Sequence, residues 1–276
     1  MVTSRRKWLA RAVVYGTPAT AFAYGSAIEK SRLAVNGLDI PLSPRFAGLE
    51  GLKIALMADF HHDDWGSDKL VLEAVEAVNR RAVDLVFLLG DYITEDVSAM
   101  EPLCAALSGL RSRLGTCAVL GNHDSAHFDP AVPRLLRESG IRLLVNEAVE
   151  HPEFAVAGVD SIVAGRPDLP FALRSVARDK PVILGWHEPD TFDAYDDPRV
   201  ALQLSGHTHG GQICAPFFGA LLLPAHGKKY VFGHFRENER SLYVTRGIGT
   251  IDIPARFLCR PELAILTLTE TPGETV

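Results

Sequence analysis

Cysteine is scarce in this chain, and what there is falls in no metal- or redox-type spacing. Cys104, Cys117, Cys214 and Cys259 are the only four. None forms a Cys-x-x-Cys pair, which excludes a zinc ribbon or a thioredoxin-type motif. Buried free thiols are the expectation, with one disulfide open to the chain if its body is exported. Internal repeats, low-complexity tracts and a recognisable interdomain linker are also missing. The 276 residues, 47% hydrophobic and 22% charged, therefore read as one large globular α/β domain with a sizeable core. A basic surface is lacking too. The overall charge is −6, and the first 28 residues hold Arg5, Arg6, Lys7 and Arg11 but no acid. The rest carries 24 basic against 34 acidic side chains, a net −10, so no nucleic-acid partner is expected. Bound divalent cations would offset much of that acid locally.

A long hydrophobic run is absent as well. The basic start Ser4-Arg5-Arg6-Lys7-Trp8-Leu9 leads into an apolar stretch, Ala12 to Ile28, interrupted by Gly16, Thr17, Pro18, Thr20 and Ser26. Those interruptions leave it poorly hydrophobic for a permanent membrane helix. Paired arginines, an aromatic and a leucine ahead of weak hydrophobicity resemble a twin-arginine export signal. Residues 1–30 are accordingly read as that signal or as a retained membrane anchor, and residues 31–276 as the functional domain. The expected location is periplasmic or extracytoplasmic, with membrane association open to the chain. Export in a folded state suits a protein that loads metal before it leaves the cytoplasm.

The body alternates apolar runs with helical periodicity. Leu33 to Glu50 reads as an edge strand and a connector. Buried strands are expected at Lys53–Ala58, Asp84–Leu89, Thr116–Leu120, Phe154–Val159, Pro181–Gly185, Val200–Leu204, Ser241–Thr245 and Glu262–Leu268. Helices are expected at Asp68–Ala82, Met100–Leu110, Pro130–Ser139 with Gly140 as C-cap, and Leu169–Ala177. The first half alternates strand and helix, and the second is richer in strands. The pattern predicts an α/β fold, a layered αββα sandwich of two mixed β-sheets.

Polar clusters follow the apolar strands at their carboxyl ends, where open α/β sheets place their sites. Each holds oxygen or imidazole donors suited to metals. Asp59-Phe60-His61 is the first; on an extended segment its alternate side chains would point the same way. Gly90-Asp91 is the second: its carboxylate can bridge two cations, although a lone Gly-Asp is also an ordinary turn. Gly121-Asn122-His123-Asp124 offers a neutral oxygen from Asn122, or alternatively a helix cap. His187 follows a strand and, taken alone, is equally a structural histidine. Gly206-His207-Thr208-His209-Gly210-Gly211 sets two histidines among glycines that permit close backbone approach. Five of the ten histidines lie in these clusters.

That ordered set resembles the calcineurin-like metallophosphoesterase superfamily. The further runs Gly206 to Ile213, Tyr243 to Gly249 and Arg260-Pro261-Glu262 are similar to its YkuE/YaeI-like phosphodiesterase branch. The resemblance spans about Leu38 to Leu268. It implies that Asp59, His61 and His209 hold one metal, that Asn122, His187 and His207 hold a second, and that Asp91 bridges them. The cofactors implied are two divalent ions; manganese, iron and zinc suit this donor set about equally. It also implies in-line attack on phosphorus by hydroxide generated between the metals, with His123 beside the scissile phosphate as the catalytic proton or hydrogen-bond donor. Ser/Thr phosphatases of this superfamily carry an Asp three residues after the bridging Asp, paired with the catalytic His; Thr94 stands there instead. That favours a phosphodiesterase or pyrophosphatase over a phosphoprotein phosphatase. A relative in the branch cleaves the pyrophosphate of a UDP-diacylglucosamine lipid precursor, so a lipid-linked pyrophosphate is an expected substrate. Such a substrate needs an apolar wall. Phe217 to Leu223 can supply it, or can instead be buried strand core. The alternative function is a non-catalytic scaffold of the same fold. A metallo-β-lactamase-type hydrolase would need a His-x-His-x-Asp-His run, which is missing.

Overall fold

The computed structural model describes residues 20–63, 67–126 and 129–271. Most of the twin-arginine-type segment, residues 1–19, lies outside the described residues. Residues 20–27 are helical, and no helix among the described residues is long and apolar enough to cross a membrane.

Two six-stranded mixed sheets stack face to face. The first is built from β1 (Ala34–Leu42), β14 (Glu262–Glu270), β2 (Lys53–Met57), β3 (Leu85–Leu88), β4 (Thr116–Ala118) and β5 (Arg142–Leu143), in that order. β14 is antiparallel to β2, while β2, β3, β4 and β5 run parallel. The second sheet follows the order β12 (Gly233–Glu237), β13 (Arg240–Val244), β9 (Val200–Ser205), β8 (Val182–Gly185), β7 (Ala155–Gly158) and β6 (Glu147–Glu150). Its inner strands are parallel and its outer two pairs antiparallel.

Strand alternation builds the layers. Ile54, Leu56 and Phe87 of the first sheet share a core with Val156, Ile183, Leu202, Leu204 and Tyr243 of the second. Ala55, Met57, Val86 and Leu88 point the other way, onto α1 (Asp68–Asn79), α2 (Met100–Leu107) and α4 (Ala131–Glu138). Val182, Leu184 and Val200 face Leu169, Leu173, Val176 and Trp186 outside the second sheet. The αββα sandwich read from the pattern is thus the observed one. β1 pairs only with β14 and is the expected edge strand. The four cysteines are buried thiols.

Two expected elements differ. The helix expected over Leu169–Ala177 stops at Ala172 as α5 (Leu169–Ala172). Arg199 donates to the carbonyls of Leu173 (3.0 Å) and Val176 (2.8 Å), the first of which the expected helix would use for the Ala177 N–H. The run Phe217–Leu223 is not buried strand core. Only Gly219–Ala220 (β11) is strand, paired with β10 (Cys214–Ala215), and its large side chains are exposed.

Candidate metal centre

The strand carboxyl ends converge on one site. Asp59 follows β2, Asp91 follows β3, Asn122 opens α3 (Asn122–Ala126) beyond β4, His187 follows β8, and His207 and His209 follow β9. Asp59, His61 and His209 bring one ligand atom each within 4.8 Å of one another, and so do Asp91, His187 and His207. All six are buried. The Oδ2 of Asp91 lies 3.1 Å from His187 Nε2 and 3.7 Å from His61 Nε2, so this carboxylate sits between the two groups. Asn122 lines the same cavity as Asp91 and His207.

Sequence periodicity did not anticipate how these side chains are aimed. Asp59 and His61 do not lie on an extended segment. Their φ values are +52° and +40°, and Asp91 (+53°), His207 (+72°) and His209 (+51°) are also left-handed. Five of the seven expected ligands thus occupy a region that costs residues with a Cβ roughly 1–3 kcal/mol each. Neighbouring hydrogen bonds fix this geometry. Asp59 N–H donates to Gly90 O (2.9 Å), Phe60 N–H to Asp91 O (2.7 Å) and His207 N–H to Asp59 Oδ1 (2.9 Å). Glycines make the space. A Cβ on Gly206 would stand 2.8 Å from Asp59 Oδ2, one on Gly247 2.7 Å from the same oxygen, and one on Gly121 2.1 Å from Asp91 Oδ1.

The donor set fits a pair of cations. Among the described residues, three buried side-chain polar atoms have no hydrogen-bond partner: Asp59 Oδ2, Asn122 Oδ1 and Trp186 Nε1. Two of these three belong to expected ligands of this site, and such orphaned atoms are costly unless a cation uses them. His61 Nε2 and His209 Nε2 face each other at 3.2 Å, an arrangement that needs a proton or a metal between two lone pairs. His187 Nδ1–H donates to Leu89 O at 2.5 Å, which leaves Nε2 as the donor atom toward Asp91. His207 Nε2–H donates to Ala225 O at 2.8 Å, which leaves Nδ1.

The electrostatics of His61, His209, Asp59 and Asp91 agree, whereas burial at His187 is outweighed by Asp91 and Asp59, which hold its imidazole well above the usual range. Burial pushes His61 down to about 4, and burial with His61 and Arg256 holds His209 well below the usual histidine range. Both are then neutral at pH 7, as ligation requires. Burial, with Asp91 nearby, pushes Asp59 up to about 7, so a cation is needed to keep it fully ionised. Burial also works against ionised Asp91, but His187, His61 and His123 beside it hold its carboxyl well below the usual range.

His123 lines the cavity and is not in either ligand group. Its backbone N–H donates to Asp91 Oδ1 (3.0 Å), and its ring Nδ1 lies 3.3 Å from Thr94 O, which leaves Nε2 toward the cavity. Thr94 therefore replaces the expected carboxylate partner with a backbone carbonyl, and its hydroxyl contacts His61 Nδ1 at 2.9 Å. Two supporting groups, Arg256 and Asp63, carried no signal in the sequence, and two more, Asp124 and Glu262, stood there only as motif positions. Arg256 is fully buried and donates to Gly249 O (2.9 and 2.6 Å) and His209 O (3.3 Å). Asp63 accepts the N–H groups of Thr94, Glu95 and Asp96. Asp124, noted only as a motif position, accepts those of Asp91, Tyr92 and Gly121. Glu262 accepts from Tyr243 Oη, Thr245 Oγ1 and Arg246 N, which ties the end of β13 to β14 and seats Gly247 against Asp59.

A two-sheet sandwich with buried Asp/His groups at its strand ends, sharing a central aspartate, defines a dinuclear metallohydrolase. Comparison with known proteins gives the same class. The family described as Calcineurin-like phosphoesterase matches residues 52–211. The uncharacterized metallophosphoesterase YkuE of Bacillus subtilis is 32% identical over 232 residues, covering 81% of each chain. Phosphodiesterase YaeI of Escherichia coli is 32% identical over 224 residues, covering 78% of this chain and 82% of that one. A dimetal phosphatase from Danio rerio shares the fold, with a TM-score of 0.50 at 16% identity over 80% of this chain and 94% of its own. The chain belongs to the calcineurin-like metallophosphoesterases, a family that depends on a dinuclear metal centre, and is a phosphoester-hydrolysing enzyme. That conclusion displaces the non-catalytic scaffold.

Proposed function

We propose that the enzyme hydrolyses phosphodiester or pyrophosphate bonds, and that its substrate is amphiphilic, of the lipid-linked pyrophosphate type represented by UDP-diacylglucosamine. The observation that carries this reading is the lining of the cavity. Its volume is about 510 Å³, within the usual range for small-molecule sites. It is lined by His61, Asp91, Asn122, His123, His207 and His209 together with Leu221, Leu222, Leu223, Ile251 and Ile253. Polar chemistry and an apolar rest surface therefore share one opening. The relative from Escherichia coli named a phosphodiesterase supports the diester preference.

When bound, two divalent cations lower the pKa of water toward neutrality and neutralise phosphate oxygens. The chain's residues do the rest. Asp91, held by Asp124 and Gly121, keeps the two ligand groups in register. Thr94 O turns His123 so that Nε2 meets the leaving oxygen and gives it a proton. We infer manganese, iron or zinc as the metals from the mixed histidine and carboxylate donors. We also infer export by the twin-arginine route from Arg5 and Arg6, with residues 1–30 acting as signal or anchor for the domain over 31–276.

Hydrolysis of bis(p-nitrophenyl) phosphate by manganese-loaded protein tests the reaction class. His123→Ala is expected to lose about 10²–10⁴-fold in kcat while keeping its metal. Equal rates for the two proteins would remove His123 from the mechanism. Arg5→Lys with Arg6→Lys is expected to retain the protein in the cytoplasm, and unchanged export would end the twin-arginine reading.

A further inference from the structure

The ribbon of β10 and β11 ends in a tight turn, Ala215-Pro216-Phe217-Phe218, closed by Phe218 N–H to Ala215 O at 3.2 Å. Phe217 sits there at φ +68°. That conformation favours glycine or asparagine at the third turn position and costs an ordinary L-residue about 1–2 kcal/mol. Burial does not offset it. Phe217 is 105% exposed, Phe218 87%, Leu222 80% and Leu221 58%. A strained, solvent-facing aromatic at the head of an apolar row marks a surface made to be covered.

Three observations identify what covers it. From Ile213 to Ala225 there is no charged side chain and no hydroxyl, amide or imidazole. A protein partner needs roughly one hydrogen bond per 100–200 Å² and a polar rim, and this segment has no side chain to supply them; hydrocarbon asks for none. Second, Leu221, Leu222 and Leu223 continue from the turn into the wall of the metal-site cavity, so whatever receives the tip lies beside the cavity mouth. Third, the ribbon and the amino-terminal helix are fastened to the same loop. Cys214 N–H donates to Phe257 O (2.9 Å), Arg256 N–H donates to Gly25 O (3.3 Å), and Tyr24 packs edge-on to Phe257 at 6.4 Å. That loop exposes Ile253 and Leu258, and the helix exposes Phe22. The described end of the apolar stretch Ala12–Ile28 thus adjoins the ribbon.

We propose that the Cys214–Leu223 ribbon inserts its Phe217–Phe218 tip into the interfacial layer of a lipid bilayer and holds the cavity mouth against the membrane surface. Aromatic side chains at such a depth bury their rings near the headgroups. The body is acidic, so the contact is apolar rather than electrostatic, and salt does not release it. The purpose of this docking rests on the proposed amphiphilic substrate, but its occurrence does not.

The test uses the full metal-loaded chain and zwitterionic vesicles of phosphatidylcholine and phosphatidylethanolamine. Phe217→Ser with Phe218→Ser is expected to weaken vesicle binding about tenfold or more, since two rings lose their burial. Hydrolysis of soluble bis(p-nitrophenyl) phosphate should be unchanged, because neither side chain lines the cavity. The amino-terminal segment can itself bind vesicles, so a second variant reads the tip directly. Phe218→Trp is expected to shift its emission to the blue on vesicles and to be quenched by brominated acyl chains, measured as the difference from the parent protein. Undiminished binding of the double variant together with an unshifted tryptophan would overturn the proposal. So would a dimer that the double variant makes monomeric without any vesicle binding, which would assign the tip to a second copy. Vesicle binding without hydrolysis of the soluble diester would instead refute the proposed function and leave the docking standing.

Discussion

Substituting Gly121 by alanine perturbs the centre through one added methyl group. Gly121 is not in a left-handed conformation, so alanine meets no backbone penalty and the effect is steric. The new Cβ would lie 2.1 Å from Asp91 Oδ1, 2.7 Å from its Cγ and 2.5 Å from its backbone nitrogen, where real contacts rarely fall below 3.4 Å. Relief needs a displacement of about 1 Å. Asp91 has little freedom to give it, because its N–H is held by Asp124 Oδ2 at 2.8 Å and its carbonyl by Phe60 N–H at 2.7 Å. Overpacking of this kind costs about 1–3 kcal/mol in stability. The larger effect is on chemistry, since a misplacement of about 1 Å near a reacting centre costs on the order of 10²-fold. Gly121→Ala is therefore expected to lose about 10²-fold or more in kcat/KM on bis(p-nitrophenyl) phosphate and to retain fewer than two metal equivalents after dialysis. Gly37→Ala, where a Cβ meets nothing within 4 Å, is the control and should behave as wild type. Two metals and a kcat/KM within about threefold of wild type in Gly121→Ala would refute the reasoning.

Other outcomes follow from the supporting groups. Arg256→Lys keeps a charge but cannot span Gly249 O and His209 O together, so chelator competition should show metal affinity about 10–100-fold weaker; unchanged affinity would remove Arg256 from the support of His209. Asp63→Asn should lower stability by about 1–2 kcal/mol at pH 7, read by thermal melting, because the carboxylate accepts three N–H groups of the Thr94 turn. Burial opposes the charge on Asp63, but those N–H groups bring its pKa below the usual value. Its stabilisation is therefore complete above the unfolded pKa of about 3.9 and fades as pH falls through the lower folded value, so the gap between the two proteins should close in acid. A gap that is constant down to low pH would contradict that origin.

The sandwich was legible because its buried strands are apolar runs, and five of them, β2, β3, β4, β8 and β9, lead within a few residues into the Asp, Asn or His residues of the site. Element ends moved by a few residues where backbone bonding, not hydrophobicity, decides them. The shortened α5 shows why: the competitor for its carbonyls is Arg199, which lies 26 residues beyond Leu173. The aiming of the ligands was illegible for a related reason. Left-handed φ at Asp59 and Asp91 is imposed by Gly90, Gly121, Gly247 and hydrogen bonds from distant loops, and no local pattern encodes them. Arg256 was missed because Pro254-Ala255-Arg256-Phe257 looks like any turn. The Phe217–Leu223 run was left open between apolar wall and buried core because hydrophobicity records what a side chain avoids, not whether this chain supplies the cover.

The proposed chemistry requires two cations to share Asp91 between the Asp59–His61–His209 and Asp91–His187–His207 groups. Anomalous diffraction from crystals grown with manganese tests it most directly. Two peaks are expected about 3.5–4 Å apart, one in each group and both within bonding reach of the Asp91 carboxylate. A single peak, or peaks bound elsewhere while these side chains remain in place, would contradict it.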